Sequence, residues 1–323
     1  MQVRRSEAIT FLLGALALGI GVGAVSDNLL HKGNLPRDVR EFNSQYHFIN
    51  PLLACGEDLN SLTGDEAKQL QREMETSIRQ RRDAGDVTEV SVYYRDLTGG
   101  PWVGIDFDKT FAPGSLLKVP LAMSVYKRAE QDRALLGKKL AYTGTETSNS
   151  QFFSVPPLEP GEYSVAALME RMLLYSDNNA TNELAHMVGA KAFQTTYLQL
   201  GVPTPPVEGA NYTISTRDYA SFFRVLYNAT YLDHQGSEEL LKLLSHTQFT
   251  AGLVAGVPSD VVVAHKFGER SFEDSTIVQL HDCGIVYVPG HPYLLCVMTR
   301  GTDFTTLAEV IADLSSLAYN YAT

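Results

Sequence analysis

Residues 113–120 read PGSLLKVP and open an apolar segment with helical character that extends to about residue 131. Ser115 and Lys118 are three positions apart, so in a helix their hydroxyl and amine share one face and can approach each other. The N-terminus of a helix offers unpaired N–H groups and positive potential, which stabilise an oxyanion forming on a carbonyl. Positive potential and burial also lower the pKa of a lysine, so that it can act as a base near neutral pH. The pattern therefore predicts Ser115 as a nucleophile and Lys118 as its base.

Two further segments carry polar side chains of a related kind. Residues 176–178 (SDN) form a short connection between two predicted helices, and residues 266–268 (KFG) end an apolar strand. Each signal is weak when taken singly. A serine and a lysine at this spacing occur by chance about once in a chain of this length, and Ser, Asp and Asn are ordinary helix caps. A lysine and a glycine at a strand end only indicate a close backbone approach.

Hydrophobic periodicity and capping patterns predict the elements around these segments. In chain order they are a helix over 63–82, strands over 89–97 and 102–107, helices over 115–131, 165–175, 179–188, 190–200, 216–231 and 237–246, strands over 261–266, 276–288 and 293–299, and a helix over 304–319. Strands at both ends with helices between them predict an α/β chain of the α+β type. One antiparallel sheet packs against the terminal helices, with an all-helical lobe alongside.

The order and spacing of the three segments resemble the SxxK, SDN and K-T-G motifs of class A β-lactamases and penicillin-binding proteins. The sequence around these motifs is also similar to that family, with RDL at 95–97, KVPL at 118–121 and STRD at 215–218. The resemblance covers roughly residues 60–323. It implies a β-lactamase/transpeptidase-like fold and a serine hydrolase that acts through an acyl-enzyme on a β-lactam ring or a related cell-wall-type amide.

The resemblance also implies roles for the side chains of the first two motifs. Ser115 attacks the carbonyl and Lys118 accepts its proton. Ser176 passes a proton between the lysines and the departing nitrogen, and Asn178 holds the substrate amide and orients Lys118.

The third motif is expected to complete the site. Lys266 places positive charge near the substrate carboxylate. The backbone N–H groups of Ser115 and of Glu269, which follows Gly268, form the oxyanion hole. The substrate amide pairs along this strand edge as an added strand.

Two departures from the family pattern bear on the substrate and the rate. Phe267 occupies the position of the K-T-G hydroxyl, and Glu269 adds negative charge where small neutral residues are usual. The ExxLN sequence that supplies the deacylating glutamate of class A β-lactamases is absent between residues 178 and 216, and Glu208 is the one nearby carboxylate. Glu208 is therefore the possible deacylation base, although a solvated loop residue is the more ordinary interpretation.

These departures leave two alternatives to a β-lactamase-like hydrolase. The first is a D-alanyl-D-alanine peptidase or esterase in which water attacks the acyl-enzyme slowly. The second is a catalytically silent binding module on the same fold, since a fold does not by itself confer activity.

Composition limits the partners. The formal net charge of the chain is −11, and an acidic chain without clustered Lys and Arg is a poor candidate for binding nucleic acid. The expected partner is a small-molecule or peptide substrate, and the sequence does not indicate an oligomeric state. No HxH or HExxH pattern is present, so neither a metal nor a cofactor is expected. His265 and His281, on neighbouring predicted strands, are interpreted as structural rather than catalytic.

The three cysteines, Cys55, Cys283 and Cys296, are expected to be buried thiols. Cys283 and Cys296 lie on two strands of one predicted hairpin. If the turn centres on residues 290–291, Cys283 lies opposite Met298, and the two thiols are diagonal neighbours too far apart for a bridge.

The N-terminus predicts export. Arg4 and Arg5 precede an uncharged run from Ala8 to Val25, which is long enough to span a bilayer and whose basic flank favours an N-inside orientation. Residues 1–27 are therefore expected to be a signal-anchor or a signal peptide, with cleavage after Ala24 as the second possibility. Residues 28–56 are a spacer, and residues 57–323 form the hydrolase domain, held outside the cytoplasm at the cell membrane, or secreted if the segment is cleaved.

Overall fold

The structure, a computed structural model, describes residues 39–41, 45–54, 65–144, 150, 152, 156–206 and 211–323. The chain divides into two units, Met1–Arg40 with Leu53–Leu59 and Glu41–Leu52 with Asn60–Thr323. The predicted N-terminal segment, 1–27, lies outside the described residues, and the predicted spacer, 28–56, is described only in part. Within the described ranges, no helix is both long and apolar enough to cross a membrane.

The described helices and strands follow in chain order. The helices are α1 (Asp65–Asp83), α2 (Lys118–Ala129), α3 (Val165–Leu174), α4 (Asn178–Val188), α5 (Ala190–Leu200), α6 (Thr216–Tyr227), α7 (His234–Leu244) and α8 (Phe304–Ala322). The strands are β1 (Val39–Arg40), β2 (Leu52–Ala54), β3 (Glu89–Asp96), β4 (Trp102–Ile105), β5 (Thr110–Phe111), β6 (Lys139–Tyr142), β7 (Gly161–Ser164), β8 (Ile214–Ser215), β9 (Val263–Ser271), β10 (Val278–Val286) and β11 (Tyr293–Gly301).

A five-stranded antiparallel sheet in the order β4-β3-β11-β10-β9 forms the centre of the larger unit. Strands from both halves of the chain meet in it, which confirms the predicted α+β fold. Successive side chains of a strand point to opposite faces. In β3, Val92 and Tyr94 pack into the core formed with α1 and α8, whereas Tyr93 packs into the core of the helical lobe.

Helices α1 and α8 cover one face of the sheet with their apolar sides. The buried residues of α1 are Ala67, Leu70, Met74 and Ile78, at the three- and four-residue spacing of one helical face. Acidic residues in the first turn of α1 and basic residues in its last turn complement the helix dipole.

Helix α2 lies at the centre of the helical lobe. Every residue from Lys118 to Tyr126 is buried, and a helix that is buried on all sides is a core element. The N-terminal end of this helix is therefore anchored in the core, while Ser115 and Leu117, in the turn before it, are partly exposed.

Two sequence predictions about local structure need correction at this level. Ser115 lies in a 3-10 turn, Gly114–Leu117, that precedes α2 rather than in the α-helix itself. The short strands β5, β6, β7 and β8 were not predicted, because two to four residues are too few to show a period.

The prediction of unbridged cysteines is wrong for Cys283 and Cys296, and Cys55 lies outside the described residues. Cys283 lies directly opposite Cys296 in the pairing of β10 with β11, and the two form a disulfide. The register centres the hairpin between Pro289 and Gly290, one residue earlier than assumed. A turn displaced by one residue moves the register by two, which brings the two thiols together.

Candidate active site

The 3-10 turn before α2 brings the two residues of the first motif into contact. In a 3-10 turn, residues i and i+3 eclipse each other. Leu116 N–H donates to Pro113 O at 3.1 Å within this turn. Lys118 Nζ lies 2.9 Å from Ser115 Oγ, so that the predicted nucleophile and its predicted base are within hydrogen-bonding distance.

The Lys118 amine is buried and contacts three more oxygen atoms. It lies 2.6 Å from Ser176 O, 2.8 Å from Ser176 Oγ and 2.7 Å from Asn178 Oδ1. The two carbonyl-type oxygens can only accept, and they match the two N–H groups of a neutral amine. The nitrogen lone pair then remains for a hydroxyl proton. Burial lowers the pKa of Lys118 to about 7, against the opposing influence of Asp177 and Glu269, so that the neutral base is available near neutral pH.

The connection between α3 and α4 presents the second motif in a strained conformation. Ser176 has φ +56°, and a non-glycine residue in this region costs about 1–3 kcal/mol and persists only where its surroundings hold it. Asp177 Oδ1 accepts the N–H of Ala180 at 3.0 Å as the cap of α4. Its Oδ2 accepts from Arg171 Nε at 2.6 Å. These contacts offset the strain and aim the Ser176 hydroxyl at Lys118.

Lys266 completes the cluster from strand β9. Its Nζ donates to Ser176 Oγ at 3.2 Å and to Phe267 O at 3.0 Å, and the side chain is fully buried. Burial, reinforced by the neighbouring Lys118, holds the pKa of Lys266 well below its ordinary value. The Ser176 hydroxyl thus lies between two amines, which is the arrangement that a proton relay requires.

Two glycines allow β9 to approach the turn that carries Ser115. Gly114 has φ +53°, and a Cβ there would collide with the Glu269 carbonyl. A Cβ at Gly268 would collide with Pro113 O and with Leu116. The peptide group of Glu269 therefore lies beside the 3-10 turn Gly114–Leu117, which we call the nucleophile turn. Only glycine, which has no side chain, allows the backbone of β9 and the backbone of the turn to come this close.

The cluster opens into a cleft of about 640 Å³. The helical lobe contributes Thr181 and Phe193 to its wall, the segment after α5 contributes Tyr212, and β9 contributes Glu269 and Arg270. The sequence predicts Glu269 at this place but not the other four residues, because no motif marks them and the cleft forms only where distant segments meet.

Phe267 does not line the cleft, but its ring lies against the site amine, with Lys266 Nζ 3.9 Å from the ring centroid. Its ring stacks on Phe249 at a centroid distance of 4.3 Å and is fully buried in the core formed with α1 and α8. Phe152 contacts it edge-on. Where the K-T-G motif has a hydroxyl, this chain therefore has a ring that belongs to a buried aromatic cluster.

The two histidines of the sheet are buried and make hydrogen-bonding contacts in the protein interior. His265 Nδ1 lies 2.8 Å from Asp282 Oδ1 in the interior. His281 Nε2 lies 3.0 Å from Ala112 O, and its Nδ1 accepts the Thr299 N–H. Burial lowers the pKa of His281 to about 4. In the part of the chain that the structure describes, no His, Cys, Asp and Glu cluster could hold a metal ion.

Glu208, the possible deacylation base, lies outside the described residues. The flanking residues Pro205, Pro206 and Tyr212 all line the cleft. The assignment of Glu208 therefore stays a prediction.

The chain belongs to the beta-lactamase enzyme family, whose model matches residues 69–322, and it is a β-lactamase-like serine hydrolase. Among named relatives, it is 26% identical to β-lactamase CTX-M-97 of Escherichia coli and to β-lactamase CTX-M-8 of Citrobacter amalonaticus. Each match spans 234 residues and covers 67% of this chain and 77% of the relative.

Solved structures share the fold. A β-lactamase from Chitinophaga pinensis superposes with a TM-score of 0.70 at 21% identity, over 79% of this chain and all of that one. An acyl-enzyme complex of a PBP-A mutant with penicillin G superposes with a TM-score of 0.65 at 21% identity, over 81% of this chain and 97% of that one.

Proposed function

We propose that the protein forms an acyl-enzyme at Ser115 with a β-lactam ring or a related cell-wall-type peptide amide. The observation that carries the proposal is the contact of 2.9 Å between Lys118 Nζ and Ser115 Oγ, made by an amine whose pKa burial lowers to about 7. A neutral amine at this position can take the proton of the hydroxyl as the nucleophile attacks.

The chemistry uses the observed contacts in sequence. Ser115 Oγ forms a bond to the substrate carbonyl carbon while its proton passes to Lys118. The carbon–nitrogen bond then breaks, and the departing nitrogen takes a proton through the Ser176 hydroxyl, which contacts both amines. Water later cleaves the ester, releases the acid and returns a proton to the Ser115 oxygen.

Binding is assigned to the edge of the sheet. Strand β9 is the last strand of the five-stranded order, and an edge strand can pair with an extended amide. The N–H groups of Ser115 and Glu269 would hold the oxyanion, because the Glu269 peptide lies next to Gly114. Asn178 would hold the substrate amide while orienting Lys118.

A second candidate is a penicillin-binding peptidase or esterase that releases its acyl group slowly. Among the described residues that line the cleft, Glu269 is the sole carboxylate, and it lies on the strand that would bind the substrate. Without a carboxylate aimed at the hydrolytic water, the ester persists. This candidate shares the acylation step and differs in the lifetime of the adduct.

A labelled penicillin tests the acylation step. The full-length protein should gain the mass of one penicillin, and Ser115→Ala should not. Equal labelling of the variant and the parent would end the proposal. Turnover of a chromogenic cephalosporin then separates the two candidates, since rapid turnover indicates a β-lactamase and a long-lived adduct indicates the slow enzyme.

We also propose that the hydrolase domain lies outside the cytoplasm, attached through residues 1–27. The basic residues before the apolar run 8–25 support this orientation. The Cys283–Cys296 disulfide supports it independently, because disulfides persist in oxidising compartments. A membrane-impermeant lysine reagent applied to intact producing cells should label the protein, and protection until lysis would contradict the location.

A further inference from the structure

Arg171 stands out in the sequence of α3. It lies in the last turn of a helix that is otherwise apolar apart from Glu170. Arg171 Nε donates to Asp177 Oδ2 at 2.6 Å, and Arg171 Nη2 donates to the carbonyl oxygen of Pro156. The arginine side chain is 22% exposed and the Asp177 side chain 1%. An ion pair shielded to this extent holds its two side chains together, because the loss of one partner leaves a buried charge uncompensated.

Asp177 is held on both sides of the connection between α3 and α4. Apart from the contact with Arg171, its Oδ1 caps α4 at Ala180 N, and its carbonyl oxygen accepts from Thr181 Oγ1 at 2.6 Å. The residue before it, Ser176, has the unfavourable φ of +56°. The Arg171–Asp177 pair therefore ties the end of α3 to the start of α4 across the strained residue.

The Arg171–Asp177 pair affects the base, Lys118, through the residues on either side of Asp177. Of the four oxygens around Lys118 Nζ, three belong to Ser176 and Asn178, the residues on either side of Asp177. A displacement of Asp177 moves all three. The remaining contact is with Ser115, the nucleophile.

We propose that Arg171 is a positioning residue for the acyl transfer, and that it acts through Asp177 to hold residues 176–178 against Lys118. The inference rests on the proposed function, since it concerns the same base. It assigns a role to a residue that lies outside the three motifs.

The charges around Lys118 give the inference a measurable signature. Asp177 and Glu269 both raise the pKa of Lys118, in opposition to burial. A second amine, Lys266 Nζ, lies near this base and contacts the same Ser176 hydroxyl. Arg171 compensates the charge of Asp177. Without the guanidinium, the Asp177 charge acts fully on Lys118, so that the pKa of the amine rises and less neutral base is present at pH 7.

The test is the pH dependence of acylation by labelled benzylpenicillin, measured with the full-length protein. For Arg171→Met we expect the midpoint of the rate to move upward by about one pH unit, and the rate at pH 7 to fall about fivefold. Arg171→Lys keeps the charge and should keep the midpoint. Arg81→Met is the matched control, because Arg81 likewise forms short ion pairs, with Asp86 and Asp313, and is 26% exposed, but lies on α1 across the sheet. It should lower thermal stability and leave the midpoint unchanged.

The outcomes separate the two proposals. A parent protein that is not acylated overturns the proposed function. An acylated parent with an unchanged midpoint in Arg171→Met overturns only the role of Arg171, even if the variant is less stable. If Arg171→Met does not fold, Arg171→Gln takes its place. This variant removes the charge, retains a hydrogen-bond donor and is judged by the same pH midpoint of acylation.

Discussion

Lys266 lies directly opposite Cys283 in the pairing of β9 with β10, and Cys283 is bonded to Cys296 of β11. The disulfide therefore joins β10, the neighbour of the strand that carries the second amine of the site, to β11. It is fully buried in the core of the helical lobe, on the face of the sheet from which Lys266 reaches Ser176.

Removing this disulfide should destabilise the protein without removing its nucleophile. A bridge over a separation of 13 residues is expected to contribute about 3 kcal/mol through the entropy of the unfolded chain. The double variant Cys283→Ala/Cys296→Ala should lower the free energy of unfolding in urea by this amount and still be labelled at Ser115. Equal stability of the oxidised parent, the reduced parent and the variant would show that the bridge does not form.

The acylation rate should rise with pH around neutrality. Lys118 acts as a base only when neutral, and burial lowers its pKa from 10.5 to about 7. The neutral fraction is therefore small at pH 6 and nearly complete at pH 8. Rates of penicillin labelling from pH 5.5 to 8.5 should follow one ionisation with a midpoint near 7, and Lys118→Ala should lose the ionisation together with the rate. A flat profile for the parent would exclude Lys118 as the base.

Replacing Phe267 by threonine restores the family hydroxyl but should not restore a substrate contact. The ring is fully buried between Phe249 and Lys266 Nζ, and it does not line the cleft. Loss of a buried aromatic ring costs about 3–5 kcal/mol, so thermal unfolding of Phe267→Thr should occur well below that of the parent. Faster acylation by benzylpenicillin in this variant would contradict the buried placement.

Gly268→Ala should impair acylation by separating β9 from the nucleophile turn. The new Cβ would collide with Pro113 O and Leu116, and a displacement of about 1 Å can cost 100-fold in rate. Gly137→Ala is the control, because a Cβ there meets nothing within 4 Å. The first variant should be labelled at least tenfold more slowly and the second at the parental rate. Similar labelling of both would argue against tight packing at Gly268.

The helices of the lobe were predicted closely from sequence because their signals are local. Helix α5 has the predicted bounds, and α3 and α4 differ from prediction by one residue each at one end. An apolar stripe and a cap are contained within about a dozen residues, so these elements require no knowledge of their neighbours.

The cysteine pair shows where local information ends. Strands β10 and β11 were both predicted, but their register depends on the position of one turn. A displacement of a single residue in that turn decides whether Cys283 faces Met298 or Cys296. Periodicity along one strand carries no information about the partner residue on the next.

The sequence alone identified the candidate side chains of the site, because the serine, the lysines and the asparagine stand in recognisable local patterns on predictable elements. Only the tertiary structure decided how they meet. Ser176 lies between two amines from positions 118 and 266, β9 rests on the nucleophile turn through two glycines, and Arg171 holds Asp177 from the end of α3. Each of these contacts depends on packing between segments far apart in the chain, which hydrophobic period and capping pattern do not encode.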